Sequence, residues 1–256
     1  MEATVKVQQV SKSFGSKNVL NKVNLQMEMG QIYGLIGPSG AGKTTLVKMM
    51  VGMDLPDEGE VQVLQTRMPS LSMLQHIGYM AQSDALYGEL TAEENLKFFA
   101  SMFKMNRAEQ KQRIAYAADL VGLTDDLGRK VAVYSGGMKR RLSLAIALLH
   151  DPSVLILDEP TVGIDPELRQ AIWKELIRLK TSEHKTIIVT THVMDEADKC
   201  DQLAMVREGT ILASGTPEQL KQQYDVASLE EVFLRAGAVQ YENQGAHKKN
   251  LRTTAA

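Results

Sequence analysis

The chain has 256 residues, 44% of them hydrophobic, and its 29 basic and 31 acidic side chains leave a formal charge of −2. That suffices for a sizeable core in one large or two small domains, and it excludes nucleic acid as a partner for the whole surface. A single cysteine, Cys200, excludes an internal disulfide and suits a reducing compartment. The opening MEATVKVQQV lacks the segments of a secretory leader, and the longest apolar stretch, Leu142 to Leu149, falls far short of a membrane span. Any membrane role is therefore expected to come through a partner.

In chain order, residues 3–10 alternate as a half-buried strand and Val23 to Met29 repeats the pattern, with a loop containing Phe14 and Gly15 between them. Both read as antiparallel strands ahead of a third, Ile32 to Ile36. Next comes GPSGAGKTT, in which Gly37 and Gly42-Lys43-Thr44 have P-loop spacing, and a helix opening at Gly42 carries Leu46, Val47, Met49 and Met50 before fading at Gly52. Gly37, Gly40 and Gly42 let the backbone fold tightly, so that Pro38, Ser39, Ala41 and Thr45 complete a cradle whose N–H groups face phosphate oxygens at a helix start. Lys43 then reaches the terminal phosphates as a point charge and Thr44 ligates Mg²⁺. A glycine-rich turn with an incidental lysine is the competing reading.

Glu60 to Leu64 and Ile77 to Ala81 are further strands. From Glu89 to His150 the pattern turns to amphipathic helix, with capping boxes at Thr91 with Glu94 and Asn106 with Glu109, and reads as an inserted helical lobe. Val154 to Leu157 is a buried parallel strand, followed by a helix over Glu167 to Lys180, the strand Thr186 to Thr190, a helix through Asp195, and the hairpin Gln202 to Arg207 with Thr210 to Ser214. Residues 237–256 are polar and aperiodic and read as a frayed tail.

Chemical residues follow three of these strands: Gly37, Asp158 and His192. In an open parallel sheet they share the carboxyl edge, where ligands bind. Within VLILDEP, Asp158 and Glu159 leave the strand in opposite directions, so Asp158 suits the Mg²⁺ side and Glu159 the attacking water. A carboxylate pair capping the next segment is the alternative. The methionines Met49, Met50 and Met53 fit helix packing, Trp173 a helix-to-core contact, and His76, His150, His184 and His247 lack metal-ligand spacing.

Together with YSGGMKRR at Tyr134 to Arg141, these segments, from Thr4 to Ala236, resemble the nucleotide-binding domain of ATP-binding cassette (ABC) transporters. The resemblance implies an α/β fold: a RecA-like P-loop NTPase core with a parallel sheet, an N-terminal antiparallel β lobe, and an inserted α-helical lobe over about 89–150, all within 1–236. It implies an ATPase using ATP and Mg²⁺, in which Ser135, Gly136 and Gly137 form the signature segment that binds the γ-phosphate held by a second subunit. The residues agree, since Ser135 is a good N-cap and the glycines expose backbone donors. Lys139, Arg140 and Arg141 lie near a positive helix end, which a docking anion relieves unless the cations point into solvent. By the same resemblance Gln82 is the Q-loop glutamine at Mg²⁺ or the lytic water, Phe14 the aromatic on adenine, Asp165 the aspartate coupling two sites (or a helix cap, or both), and His192 the switch histidine beside Glu159. Tyr134 and Met138 depart from the family's common Leu and Gln.

The implied assembly is a head-to-tail dimer, taken as a homodimer, on separate transmembrane permease subunits at the cytoplasmic side of the membrane, with the segment Gln82 to Leu90 as docking surface and Leu86 and Tyr87 as its anchors. SGGMKRRLSLAIALLHDP, TVGIDP and SLEEVFL resemble the ATPase subunits of ABC-2 type exporters of drugs, antibiotics or lipid-linked glycans. Two rivals stand beside this reading. A soluble ABC ATPase acting on a ribosomal or nucleic-acid partner would usually carry two cassettes or a long coiled coil. A P-loop GTPase or kinase lacks its guanine reader here, because Asn21-Lys22-Val23-Asn24 ends in Asn and precedes the P-loop.

Overall fold

In a computed structural model of the chain, residues 3–83 and 85–238 are described. The tail expected over 237–256 lies outside them from residue 239 onward, as does residue 84 within the expected docking segment.

Strands Ala3–Phe14 (β1) and Lys17–Glu28 (β2) pair antiparallel, with Phe14 opposite Lys17 across a tight turn in which Gly15 takes φ 60. Both strands run longer than the alternation predicts, because a register shift between Val7 and Val10, with Gln9 at φ 51, breaks the period and hides the continuation. Phe14 therefore ends a strand instead of lying in a loop. Glu58–Val63 (β4) and Thr66–Arg67 (β5) complete a sheet of order β2-β1-β4-β5.

The second sheet contains Ile32–Ile36 (β3), Ile77–Met80 (β6), Val154–Asp158 (β7), Thr186–Thr191 (β8), Gln202–Arg207 (β9) and Thr210–Gly215 (β10), in the order β10-β9-β3-β8-β7-β6. All neighbours run parallel except β10 on β9. The central strands β3, β7 and β8 are buried throughout and mostly apolar because both faces are covered. Tyr33, Leu35, Val154, Ile156 and Ile188 pack toward the antiparallel sheet and the helix Lys43–Met50 (α1), whereas Ile32, Ile36, Leu155, Leu157, Ile187 and Val189 join the core on the other face. That second core includes Trp173, on the helix Pro166–Glu183 (α5). Met49 and Met50 are buried as expected, but Met53 lies past the end of α1 with two thirds of its surface exposed.

The lobe over 89–150 is helical: Ala92–Ala100 (α2), Arg107–Leu120 (α3) and Gly136–Leu148 (α4). Both predicted capping boxes form. Tyr134 is buried in the lobe core, and its hydroxyl donates to the Asp126 carbonyl at 2.8 Å, so the larger residue is accommodated with its polar end satisfied. Met138 packs its side chain against the same core. The helix after β8 is a single turn, Met194–Ala197 (α6). Among the described residues, no helix is long and apolar enough to cross a membrane.

Candidate active site

Parallel pairing sets Ile36 opposite Thr191 and Asp158 opposite Thr190, so the loops after β3, β7 and β8 leave the sheet at one level, as the three-strand argument predicts. The loop after β3 closes tightly. Gly42 has φ 107, and a Cβ there would lie 2.9 Å from the Val19 carbonyl oxygen, so the position requires glycine. Lys43 opens α1 but is only 6% exposed: its ammonium turns back to donate to the carbonyls of Gly37 at 2.6 Å and Pro38 at 3.1 Å. Burial pushes its pKa down, against the opposing pull of Glu159 and Asp158.

Thr44 Oγ1 donates to Asp158 Oδ2 at 2.9 Å, and Thr190 Oγ1 donates to Asp158 Oδ1. This buried carboxylate and hydroxyl are hard oxygen donors that fit Mg²⁺. Glu159 does not point away from Asp158 by strand alternation, because β7 ends at Asp158 and Glu159 sits in the left-handed region at φ 53. Its N–H is held by the Thr190 carbonyl (3.2 Å) and hydroxyl (3.0 Å), and its Oε1 accepts from His192 Nδ1 at 3.1 Å. A strained non-glycine residue held from both sides is the kind of backbone found at functional positions.

An open cleft of about 260 Å³ lies against this cluster, lined by residues 39–45, Gln82, Glu159, Lys17 and Val19, with Gly37, Pro38, Asp158 and His192 off its lining. Lys17 and Val19 escaped the sequence reading, because they lie on the part of β2 where the pairing with β1 shifts register between Lys12 and Ser13 and alternation gives no signal. Phe14 is not on this lining. Its ring is half exposed at the hairpin tip, with Lys12 Nζ 5.3 Å from the ring centroid. A larger cleft, of about 600 Å³, opens on the helical lobe among Lys97, Arg107, Lys111 and Ile114 and contains no residue singled out from the sequence.

Ser135, Gly136 and Gly137 also lie off the cleft lining. Ser135 caps α4 by accepting from the Met138 N–H at 3.2 Å, and a Cβ on Gly137 would come within 2.9 Å of the Gly163 carbonyl oxygen, so α4 starts hard against the loop before α5. Asp165 caps α5, accepting from the Leu168 N–H at 3.0 Å. Two of the three cations after Ser135 correct the sequence reading, since Arg140 and Arg141 are held by backbone carbonyls. Arg141 donates to the Val121 and Gly122 carbonyls at the end of α3, at 3.1 and 3.0 Å. Arg140 is buried and donates to carbonyls at the ends of β6 and β7. Such contacts join segments remote in sequence, and no local spacing announces them. Thr190, by contrast, follows from the same edge logic as His192.

The ABC transporter family profile matches residues 20–162. The chain is 41% identical over 227 residues to "Nod factor export ATP-binding protein I" of Rhizobium sp. (strain N33), covering 88% of this chain and 74% of that one. It is 40% identical over 224 residues to "Probable multidrug ABC transporter ATP-binding protein YbhF" of Escherichia coli (strain K12), covering 87% of this chain but only 39% of the relative's length. Among solved structures, it superposes on an ATP-binding subunit of an ABC transporter with a TM-score of 0.85 at 28% identity, covering 91% of this chain and 99% of that one. It also superposes on the dimeric cassette MJ0796 bound to ADP and Pi, with a TM-score of 0.77 at 26% identity over 83% and 98% of the two chains.

Proposed function

This chain belongs to the ABC transporter family, and on that premise we propose that it is the ATP-hydrolysing subunit of an exporter whose membrane path is built by separate permease subunits. The observation that carries the catalytic reading is the cluster at the sheet edge, where Asp158 meets Thr44, and Glu159, bent out at φ 53, meets His192.

ATP is the substrate. Residues 37–45 cradle its phosphates with backbone N–H groups, Lys43 exchanges loop carbonyls for phosphate oxygens, and the exposed ring of Phe14 stacks on the base. Thr44, Asp158 and Gln82 would hold Mg²⁺, which when bound offsets charge on the β- and γ-phosphates. Glu159 takes a proton from the water whose oxygen attacks the γ-phosphorus, while the bond to the ADP oxygen breaks. His192 keeps the Glu159 carboxylate in place through its Nδ1 contact. Ser135 to Gly137, outside the cleft, present donors to the nucleotide of a second copy, so hydrolysis requires a head-to-tail dimer; the dimeric form of the related MJ0796 cassette supports this. Asp165, beside that interface, couples the two sites while capping α5.

The permease docks between the helical lobe and the core. Leu86 packs partly into the core, whereas Tyr87 exposes half its ring, edge-on to Phe98 at 4.9 Å. Buried Asn95 fixes the Tyr87 backbone by accepting from its N–H at 2.9 Å and donating to its carbonyl at 3.0 Å. An exposed aromatic on a fixed backbone suits an apolar anchor at the cytoplasmic face of a membrane. Export is supported by the names of the relatives, one a multidrug and the other a Nod factor export ATP-binding protein, and a drug or antibiotic is the cargo proposed.

The test is light scattering of Glu159→Gln with and without ATP, with Ser135→Arg as control. A dimer that needs ATP and intact Ser135 is expected. A protein that binds ATP and dimerises equally well with Ser135→Arg would refute the shared site.

A further inference from the structure

The mechanism leaves unused a buried cation that lies directly behind the cleft. Arg140 lies in the second turn of α4, 7% exposed, at a position where the sequence reading expected solvent or an anion. Its Nη1 donates to the carbonyls of Ala81 at 2.6 Å and Gln82 at 3.0 Å, which follow β6. Its Nη2 donates to the carbonyls of Asp158 and Glu159, the latter at 2.7 Å, and its Nε also reaches Glu159, at 3.2 Å. The guanidinium thus binds the backbone of two adjacent strand ends, each leading into a residue that faces the cleft, Gln82 and Glu159.

We propose that Arg140 is a positioning residue for hydrolysis: it clamps the backbone of Gln82 and Glu159 to α4 and so sets where their side chains stand. The geometry demands arginine. Burying a cation is costly unless its hydrogen-bonding capacity is filled, and only a planar fork with five N–H donors reaches four carbonyls spread over two strands; an ammonium offers three donors from one point. The Glu159 peptide is the part that most needs holding, since its left-handed φ persists only where surrounding structure determines it. The N–H of Glu159 is fixed by Thr190 and its carbonyl by Arg140, so the residue is gripped on both sides of its Cα.

The inference rests on the reading of Glu159 as the group at the attacking water. It is tested by measuring phosphate release and MgATP affinity for Arg140→Lys, Glu159→Gln and the double variant, with Arg140→Met as the more severe change. Arg140→Lys keeps the charge and most of the side-chain length and so decides the matter even if Arg140→Met does not fold. The expected result is a fall in kcat of about 10²-fold for Arg140→Lys, the scale of an ångström-level misplacement, with MgATP affinity retained. In the Glu159→Gln background, Arg140→Lys should cost much less, because the base it positions is already gone and only its hold on Gln82 remains to be lost. Three results overturn the proposal: parental kcat in Arg140→Lys, loss of MgATP affinity in step with rate, or the same proportional loss in both backgrounds, which a purely structural role produces. Parental turnover in Glu159→Gln would refute the reading of Glu159 itself, and the positioning role with it.

Discussion

Replacing Glu159 by glutamine removes a charge and almost no volume, which makes it the sharpest probe of the sheet-edge cluster. The backbone at φ 53 costs any residue but glycine about 1–3 kcal/mol, and glutamine carries the same cost as glutamate. The bonds from the Glu159 N–H to Thr190 and from Arg140 to its carbonyl involve only the main chain, and an amide oxygen can still accept from His192 Nδ1. Stability should therefore change by less than about 1 kcal/mol. Rate should not survive: a positioned general base contributes roughly 10²–10⁴-fold. At 1.36 kcal/mol per decade, that is about 3–5 kcal/mol of barrier. Phosphate release at saturating MgATP measures the loss, and calorimetric titration of MgATP shows that binding persists. Glu159→Gly sharpens the contrast. It relieves a left-handed residue worth about 1–2 kcal/mol while losing about 0.5–1 kcal/mol to unfolded-chain entropy, so the variant should be as stable as the parent or slightly more so, yet inactive. If Glu159→Gln turns over within tenfold of the parent, the base assignment is wrong.

Lys43→Ala removes charge-assisted bonds worth about 1.5–3 kcal/mol, so MgATP should bind roughly 10- to 100-fold more weakly by isothermal titration. His150 stacks on Phe103 with centroids 3.7 Å apart and donates from Nε2 to the Ile77 carbonyl at 3.1 Å, and burial pulls its pKa from 6.5 down to about 4. Between those values the unfolded chain binds more protons, so stability is complete above pH 6.5 and falls as pH drops toward 4, by up to about 1.4 kcal/mol per pH unit; His150→Phe should flatten that limb in urea titrations. Asp165→Ala loses the N-cap of α5 and should cost about 1 kcal/mol in thermal unfolding, whereas Asp165→Asn keeps the cap, so a rate defect in the asparagine variant would belong to coupling between sites.

The strands of the parallel sheet were legible because each is short, apolar and followed by a chemically distinctive loop, and the same property exposed the sheet edge. The helical lobe was legible through its caps, which are local hydrogen bonds three residues apart. Hidden features had a common cause, since each depends on a contact between remote segments or a local break in period. The bulge near Gln9 shortened the apparent strand, which put Phe14 in a loop. The turn at Glu159 gives Asp158 and Glu159 separate partners by a means other than the alternation that predicted the separation. Tyr134 stands where the family commonly has Leu, and its ring fills the lobe core while its hydroxyl reaches a carbonyl eight residues away.

Buried charges at the sheet edge follow from a single requirement. Where β6, β7 and β8 end, their last peptide groups leave the ladder, and buried backbone polar groups need partners. Regular structure cannot supply them without closing the edge to a ligand. Charged and hydroxyl side chains from packed elements supply them instead: Arg140 takes four carbonyls, and Thr190 holds both the N–H of Glu159 and the carboxylate of Asp158. Glu196 ties side chains of the same edge together. It is 2% exposed, on the short helix α6, and accepts from Thr161 after β7 and from Thr191 at the end of β8, the latter at 2.8 Å. A sequence reader assigns Arg140 and Glu196 to the surface because charge is normally solvated. In this fold they are buried because an open edge, ordered enough for chemistry, has to be held from behind by side chains long enough to reach it.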